Sequence, residues 1–155
     1  MSAEALLERA RAQGVRIAAA ESCTGGMVMA ALTAMPGSSD VVERGFVTYS
    51  NAAKIELLGV AETTLAAHGA VSVEVAAEMA SGALAASRAD LAVSITGIAG
   101  PGGSDAKPEG RVCFGIARKG APVRTEMQDF GALGRAEVRQ AATDHAIALM
   151  LGALA

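Results

Sequence analysis

Three apolar, strand-like runs in this chain each stop at a polar, hydroxyl-bearing turn: Glu21 to Gly26, Thr48 to Asn51 and Thr96 to Gly100. Val15 to Ala20 reads as a buried strand that breaks at Glu21-Ser22-Cys23-Thr24-Gly25-Gly26 before a helical pattern resumes over Met27 to Ala34 and ends at Met35-Pro36-Gly37. Val41 to Tyr49, with its β-branched and aromatic residues, is a second strand; Ser50-Asn51 then caps a short helix running to Leu58. Leu91 to Thr96 is a third, and it opens into a long glycine- and proline-rich stretch, Gly97 to Gly110, whose length marks it as a functional loop.

The remaining pattern is helical except for one hairpin. Ala3, Leu6, Leu7 and Ala10 repeat at helical spacing, with Ser2 as the expected cap and Gly14 as the stop. A short helix is expected over Glu62 to Ala67, and Ser72 is a good N-cap for Val73 to Ser87. Val112 to Ala117 and Val123 to Phe130 are strands joined tightly enough to pair as a hairpin, and a helix from Arg135 to Leu151 closes the chain. Helices alternating with about five strands predict an α/β fold, a three-layer α/β/α sandwich on a mixed sheet. In such a fold, binding sites gather beyond the carboxyl ends of the parallel strands.

At 155 residues the chain is expected to form a single domain over 1–155, and its 52% apolar composition supplies a core. A net charge of −3 and only 3% aromatic residues argue against a nucleic-acid partner. The start has no signal-peptide pattern and no run is long enough to cross a bilayer, so no membrane partner and a cytoplasmic location are expected. Cys23 and Cys113 are isolated, and His68 and His145 lack ligand spacing, so neither a metal nor another cofactor is expected.

The three turns should converge on one edge of the sheet and there form a crevice. In the first, Ser22 or Thr24 can be a plain N-cap, with Gly25 and Gly26 permitting close packing. It can also be reactive, because N–H groups of Thr24, Gly25 and Gly26 at a helix start could hold an oxyanion or phosphate. A serine nucleophile needs a base, and neither histidine sits in a polar motif. Lys54, one turn into the helix after Tyr49-Ser50-Asn51, could serve if burial leaves it uncharged, with Tyr49 orienting it. Cys23 is the rival nucleophile. The segment Thr96-Gly97-Ile98-Ala99-Gly100 matches neither the dinucleotide fingerprint nor the NTP phosphate loop, yet its glycines can bring backbone N–H groups to a ligand. Lys107, Arg111, Arg135 and Arg139 are candidate phosphate partners; Arg135 is favoured because it opens a helix. Glu21 could orient Lys54, answer a cationic ring or pair with an arginine.

The strings AESCTGG (Ala20 to Gly26), GFVTYSNAAK (Gly45 to Lys54), HGAVS (His68 to Ser72) and SITGIAGPGG (Ser94 to Gly103) resemble those of the nicotinamide-nucleotide amidase family, the CinA C-terminal domain. The likeness covers nearly the whole chain, in order. It implies a five-stranded mixed α/β/α sandwich similar to anticodon-binding domains. It also implies hydrolysis of nicotinamide mononucleotide to nicotinate mononucleotide and ammonia, a step in NAD recycling, by a Ser-Lys pair without a metal. On matching motifs Ser22 is the nucleophile, Lys54 its base and Tyr49 a supporting residue. Glu21, Thr24, Gly25, Gly26, Thr96, Gly97, Gly100, Arg135 and Arg139 would contact substrate. The loop departs from the family pattern: it is one residue shorter, and Glu109 and Arg111 stand where valine and threonine are usual. The N-terminal pyrophosphatase-like domain of longer relatives is not expected here, and the chain should be a stand-alone, homo-oligomeric form. The alternatives are an amidase using Cys23, a nucleotide-binding module without catalysis, and a structural role in competence or DNA damage.

Overall fold

The computed structural model describes residues 2–104 and 106–155, so the cap expected at Ser2, whose side chain is not described, lies outside it. Helix α1 (Ser2–Gln13) leads into β1 (Ile17–Glu21), α2 (Met27–Thr33), β2 (Val42–Val47), α3 (Asn51–Leu58), α4 (Glu62–His68) and α5 (Val73–Ala85). Strands β3 (Leu91–Gly97), β4 (Arg111–Arg118) and β5 (Arg124–Asp129) follow, then α6 (Arg135–Ala153). The expected elements are all present, with ends displaced by a residue or two. Val15, for example, is not yet strand because its N–H still bonds the Ala10 carbonyl at the end of α1.

The sheet has five strands in the order β2-β1-β3-β4-β5. Strands β2, β1 and β3 are parallel, whereas β4 and β5 form the antiparallel hairpin, so the sheet is mixed as expected. Alternation along each strand separates two apolar layers. Ile17 and Ala19 of β1 and Leu91, Val93 and Ile95 of β3 pack with α1, α2 and α6, while Ala18, Ala20 and Ala92 face α5 and the end of α3. The α5 side is built from small residues, which lets the helix backbone lie directly on the strands. Ser94 Oγ donates to the Ala76 carbonyl at 2.5 Å, and a Cβ added at Gly115 would stand 2.4 Å from that same oxygen. Only glycine fits there.

The parallel pairings Glu21↔Val47 and Glu21↔Ile95 bring the carboxyl ends of β1, β2 and β3 level with one another. Each of the three hydroxyl-bearing turns therefore opens at the same sheet edge.

Candidate active site

A cleft of about 350 Å³ lies beyond that edge, bounded by Ser22 and Cys23, by Tyr49, Asn51 and Lys54, and by the glycine-rich segment from Thr96 to Ser104 with Arg135. Ser22 leaves β1 with its N–H bonded to the Ile95 carbonyl at 2.9 Å, which ties the turn to β3. Lys54 reaches it from the neighbouring strand's exit. Ser50 Oγ accepts from Ala53 N at 3.0 Å and so starts α3 immediately after β2. Side chains of a helix tilt toward its N-terminus, which carries a lysine one turn in back over the strand ends. Lys54 Nζ stands 3.0 Å from Ser22 Oγ and donates to the Thr48 carbonyl at 2.8 Å.

Lys54 is 1% exposed and pairs with no carboxylate among the described residues, so burial drives its pKa below the ordinary lysine value, opposed by the nearby Cys23. A lowered pKa raises the share of uncharged amine, the form that can accept a proton from a neighbouring hydroxyl. Cys23 meets the opposite fate: burial pushes its thiol up to about 11, which disfavours the thiolate that nucleophilic attack requires.

Several other residues expected at the substrate lie behind the cleft wall, holding the turn in place. Glu21 is fully buried beneath the start of α2, where Oε1 accepts from Thr24 Oγ1 at 2.6 Å, Gly26 N at 3.2 Å and Val28 N at 3.0 Å, and Oε2 accepts from Met29 N at 3.0 Å. It caps the helix, and its hydrogen bonds go to that turn and not to Lys54. Arg139 spends its guanidinium on the Cys23 and Thr24 carbonyls at 3.0 and 3.3 Å, joining α6 to the turn. Gly25 and Gly26 adopt φ of 58° and 109°, which only glycine accepts without strain, and their N–H groups bond the Ser22 carbonyl and Glu21. Those two N–H groups are therefore not free to hold an oxyanion.

Thr96, Gly97 and Gly100 do line the cleft; the Thr96 hydroxyl is itself bonded to the Ala70 carbonyl at 2.9 Å. Arg135 lies at the mouth and donates to the Gly100 carbonyl at 2.7 Å and to Tyr49 Oη at 2.6 Å. It and Lys54 are the cationic residues of the wall among the described residues. Lys107 is instead committed to the His68 and Val71 carbonyls at 2.7 and 2.5 Å, and Arg111 pairs with Asp129 at 2.9 Å. His68 sits by Glu74 on the surface, and His145 pairs with Glu126 against Phe114, away from the cleft. Among the described residues, no group of three or more His, Cys, Asp or Glu side chains is placed to hold a metal ion. The Thr48 carbonyl and Glu109 were not foreseen. A backbone acceptor has no side-chain signature, and Glu109 meets its partners only in the folded chain.

The fold and its cleft thus define an α/β/α domain with a buried amine and an alcohol in contact at the carboxyl edge of its parallel strands. The chain belongs to the CinA C-terminal domain family, whose profile matches residues 1–154. It is 53% identical over 138 residues to the nicotinamide-nucleotide amidohydrolase PncC of Escherichia coli K12, covering 88% of this chain and 83% of that protein. It is 59% identical over 111 residues to a CinA-like protein of Chloroherpeton thalassium, where the match covers 71% of this chain and only 26% of that longer relative. The crystal structure of the competence/damage inducible protein CihA of Agrobacterium tumefaciens superposes with a TM-score of 0.91 at 46% identity over 99% of this chain and 96% of that one. The corresponding protein of Enterobacter asburiae gives 0.95 at 33% identity, over the same shares.

Proposed function

We propose that the protein hydrolyses the carboxamide of nicotinamide mononucleotide, releasing ammonia and nicotinate mononucleotide, with Ser22 as nucleophile and Lys54 as base. The carrying observation is the 3.0 Å contact between Lys54 Nζ and Ser22 Oγ inside a cleft, with the lysine shielded from water. The relatives named as nicotinamide-nucleotide amidohydrolases supply the substrate.

Neutral Lys54 accepts the hydroxyl proton as Ser22 Oγ bonds to the carboxamide carbon, and one of its remaining N–H groups keeps the Thr48 carbonyl. With the Gly25 and Gly26 N–H groups occupied, the reading assigns the oxyanion to the N–H of Cys23, the residue after the nucleophile and part of the cleft wall. The tetrahedral adduct collapses as the lysine ammonium passes its proton to the departing nitrogen, leaving an ester on Ser22 and free ammonia. Lys54, neutral again, deprotonates a water as it attacks the ester carbon. The second adduct collapses as the lysine ammonium returns that proton to Ser22 Oγ, and nicotinate mononucleotide leaves, its new carboxyl giving its own proton to solvent. The pyridinium ring withdraws electrons from the carbon under attack throughout. Arg135 and the glycine-rich lip serve the phosphate end, and Tyr49 holds Arg135 in place. The reading includes a cytoplasmic, homo-oligomeric protein that acts in NAD recycling, with no nucleic-acid or membrane partner.

The test is ammonia release from nicotinamide mononucleotide by Ser22→Ala and Lys54→Ala. Both should lose activity by at least about a thousandfold while melting as folded proteins. A Ser22→Ala protein turning over near the wild-type rate would remove the nucleophile, and binding without turnover by the wild type would leave a nucleotide-binding module.

A further inference from the structure

We propose that Glu109 is a positioning residue for the cleft: its carboxylate bridges the glycine-rich lip and the start of α6, and so sets where Arg135 stands. The two oxygens serve separate segments. Oε1 accepts from Gly102 N at 2.7 Å, on the cleft wall, and Oε2 accepts from Gly134 N at 3.1 Å, immediately before Arg135. Arg135 returns the connection by donating to the Gly100 carbonyl at 2.7 Å. Lip and helix are thereby joined in both directions, with charged hydrogen bonds in each.

The base from which Glu109 reaches is itself rigid. Gly110 N bonds the Ile98 carbonyl at 2.8 Å, the Gly110 carbonyl accepts from Phe130 N at 2.9 Å, and a Cβ at Gly110 would meet the Gly131 oxygen at 2.0 Å. Glu109 also lies flush against the lip, since a Cβ at Gly100 would stand 2.5 Å from its carboxyl carbon. Its place is therefore fixed by the strand behind it, and the lip conforms to it. A carboxylate has two oxygens and so can accept two N–H bonds from different directions at once. Neither oxygen contacts Ser22 or Lys54, so the bridge governs how the substrate's far end is received and leaves the chemical step alone.

The inference rests on the proposed activity for its kinetic consequence but not for the bridge itself, and the experiment has an arm for each. With nicotinamide mononucleotide, Glu109→Ala should raise KM by about tenfold with kcat changed by less than about threefold. Glu109→Gln, with one acceptor oxygen for two donors, should fall between. Sodium formate should recover KM of the alanine variant by occupying the vacated N–H pair, whereas sodium chloride at equal ionic strength should not. In parallel, amide hydrogen exchange at Gly102 and Gly134, which needs no substrate, should quicken by about tenfold in Glu109→Ala. Unchanged exchange at both amides overturns the bridge whether or not the wild type is an amidase. A KM at or below the wild-type value overturns the positioning role, a lowered one meaning that the carboxylate merely repels the phosphate. A wild type without amidase activity sinks the proposed function, and the exchange arm still decides the bridge. Should the alanine variant fail to fold, the glutamine variant carries both arms.

Discussion

Replacing Glu21 separates a helix-capping role from a ligand-binding one, because the two predict opposite patterns. The carboxylate is fully buried and accepts from the Thr24 hydroxyl and from the N–H groups of Gly26, Val28 and Met29. Met27 N is met by the Thr24 carbonyl at 3.0 Å, so the whole first turn of α2 is satisfied within this one knot. Glu21→Ala strands four donors. A buried unsatisfied donor costs about 1–3 kcal/mol, which puts the loss at about 4 kcal/mol or more, a large share of a typical total of about 5–15 kcal/mol. Glu21→Gln keeps one acceptor oxygen but turns an NH2 group toward a donor, and should cost about 2 kcal/mol. For a domain of this size that is a fall of about 4–8 °C in Tm. Urea and thermal unfolding of both variants measure the loss, and KM for nicotinamide mononucleotide should stay near the wild-type value in the glutamine variant at temperatures where it is folded. If Glu21→Gln melts within about 1 °C of the wild type while KM climbs, the carboxylate faces the ligand and the capping account fails.

Three further outcomes follow from the site and the core. Because the amine must be neutral to accept a proton, turnover should rise with pH through the lowered Lys54 pKa and level off above it, with the inflection below the ordinary lysine value of 10.5; Lys54→Arg, which cannot deprotonate, should be inactive at every pH. Cys23, with its thiol at about 11, should react slowly with iodoacetamide at neutral pH, and Cys23→Ala should keep its turnover; rapid alkylation with parallel loss of activity would restore the thiol as nucleophile. The same burial stabilises the fold below the ordinary thiol value of 9.0 and is lost as pH climbs through about 11, so the wild type should lose stability across that window more steeply than Cys23→Ala. Gly115→Ala would push a methyl to 2.4 Å from the Ala76 carbonyl and should cost about 1–3 kcal/mol in a urea titration; an unchanged midpoint would mean that α5 lifts freely from the sheet.

Much of the fold was legible because it is encoded locally. The Ser50 and Ser72 caps each bond an N–H three residues on, at 3.0 and 3.2 Å, a relation that spacing alone reveals. Strand and helix periods likewise report which face is apolar, and the mixed sheet follows from one short hairpin among longer crossovers. The three hydroxyl-bearing turns could be assigned to one edge from the sequence, since parallel strands must all end on the same side.

What sequence reasoning misplaced were long charged side chains, and the cause is common to all of them. Glu21, Lys107, Arg111 and Arg139 were read as candidate ligand contacts or phosphate partners because each lies near a turn that reaches the site. In the folded chain Glu21, Lys107 and Arg139 spend their charge on backbone groups, and Arg111 on Asp129. Backbone N–H and carbonyl groups occur at every residue, so nothing in their spelling shows which one a glutamate or arginine will find. By itself the sequence determined the order of the elements, their caps and the edge on which the reactive hydroxyl must emerge. Only the tertiary structure decided that Lys54 crosses 32 positions to reach Ser22, that Glu21 turns inward, and that Glu109 ties lip to helix. The first set depends on interactions within a few residues, and the second on the parallel register that sets β1 between β2 and β3.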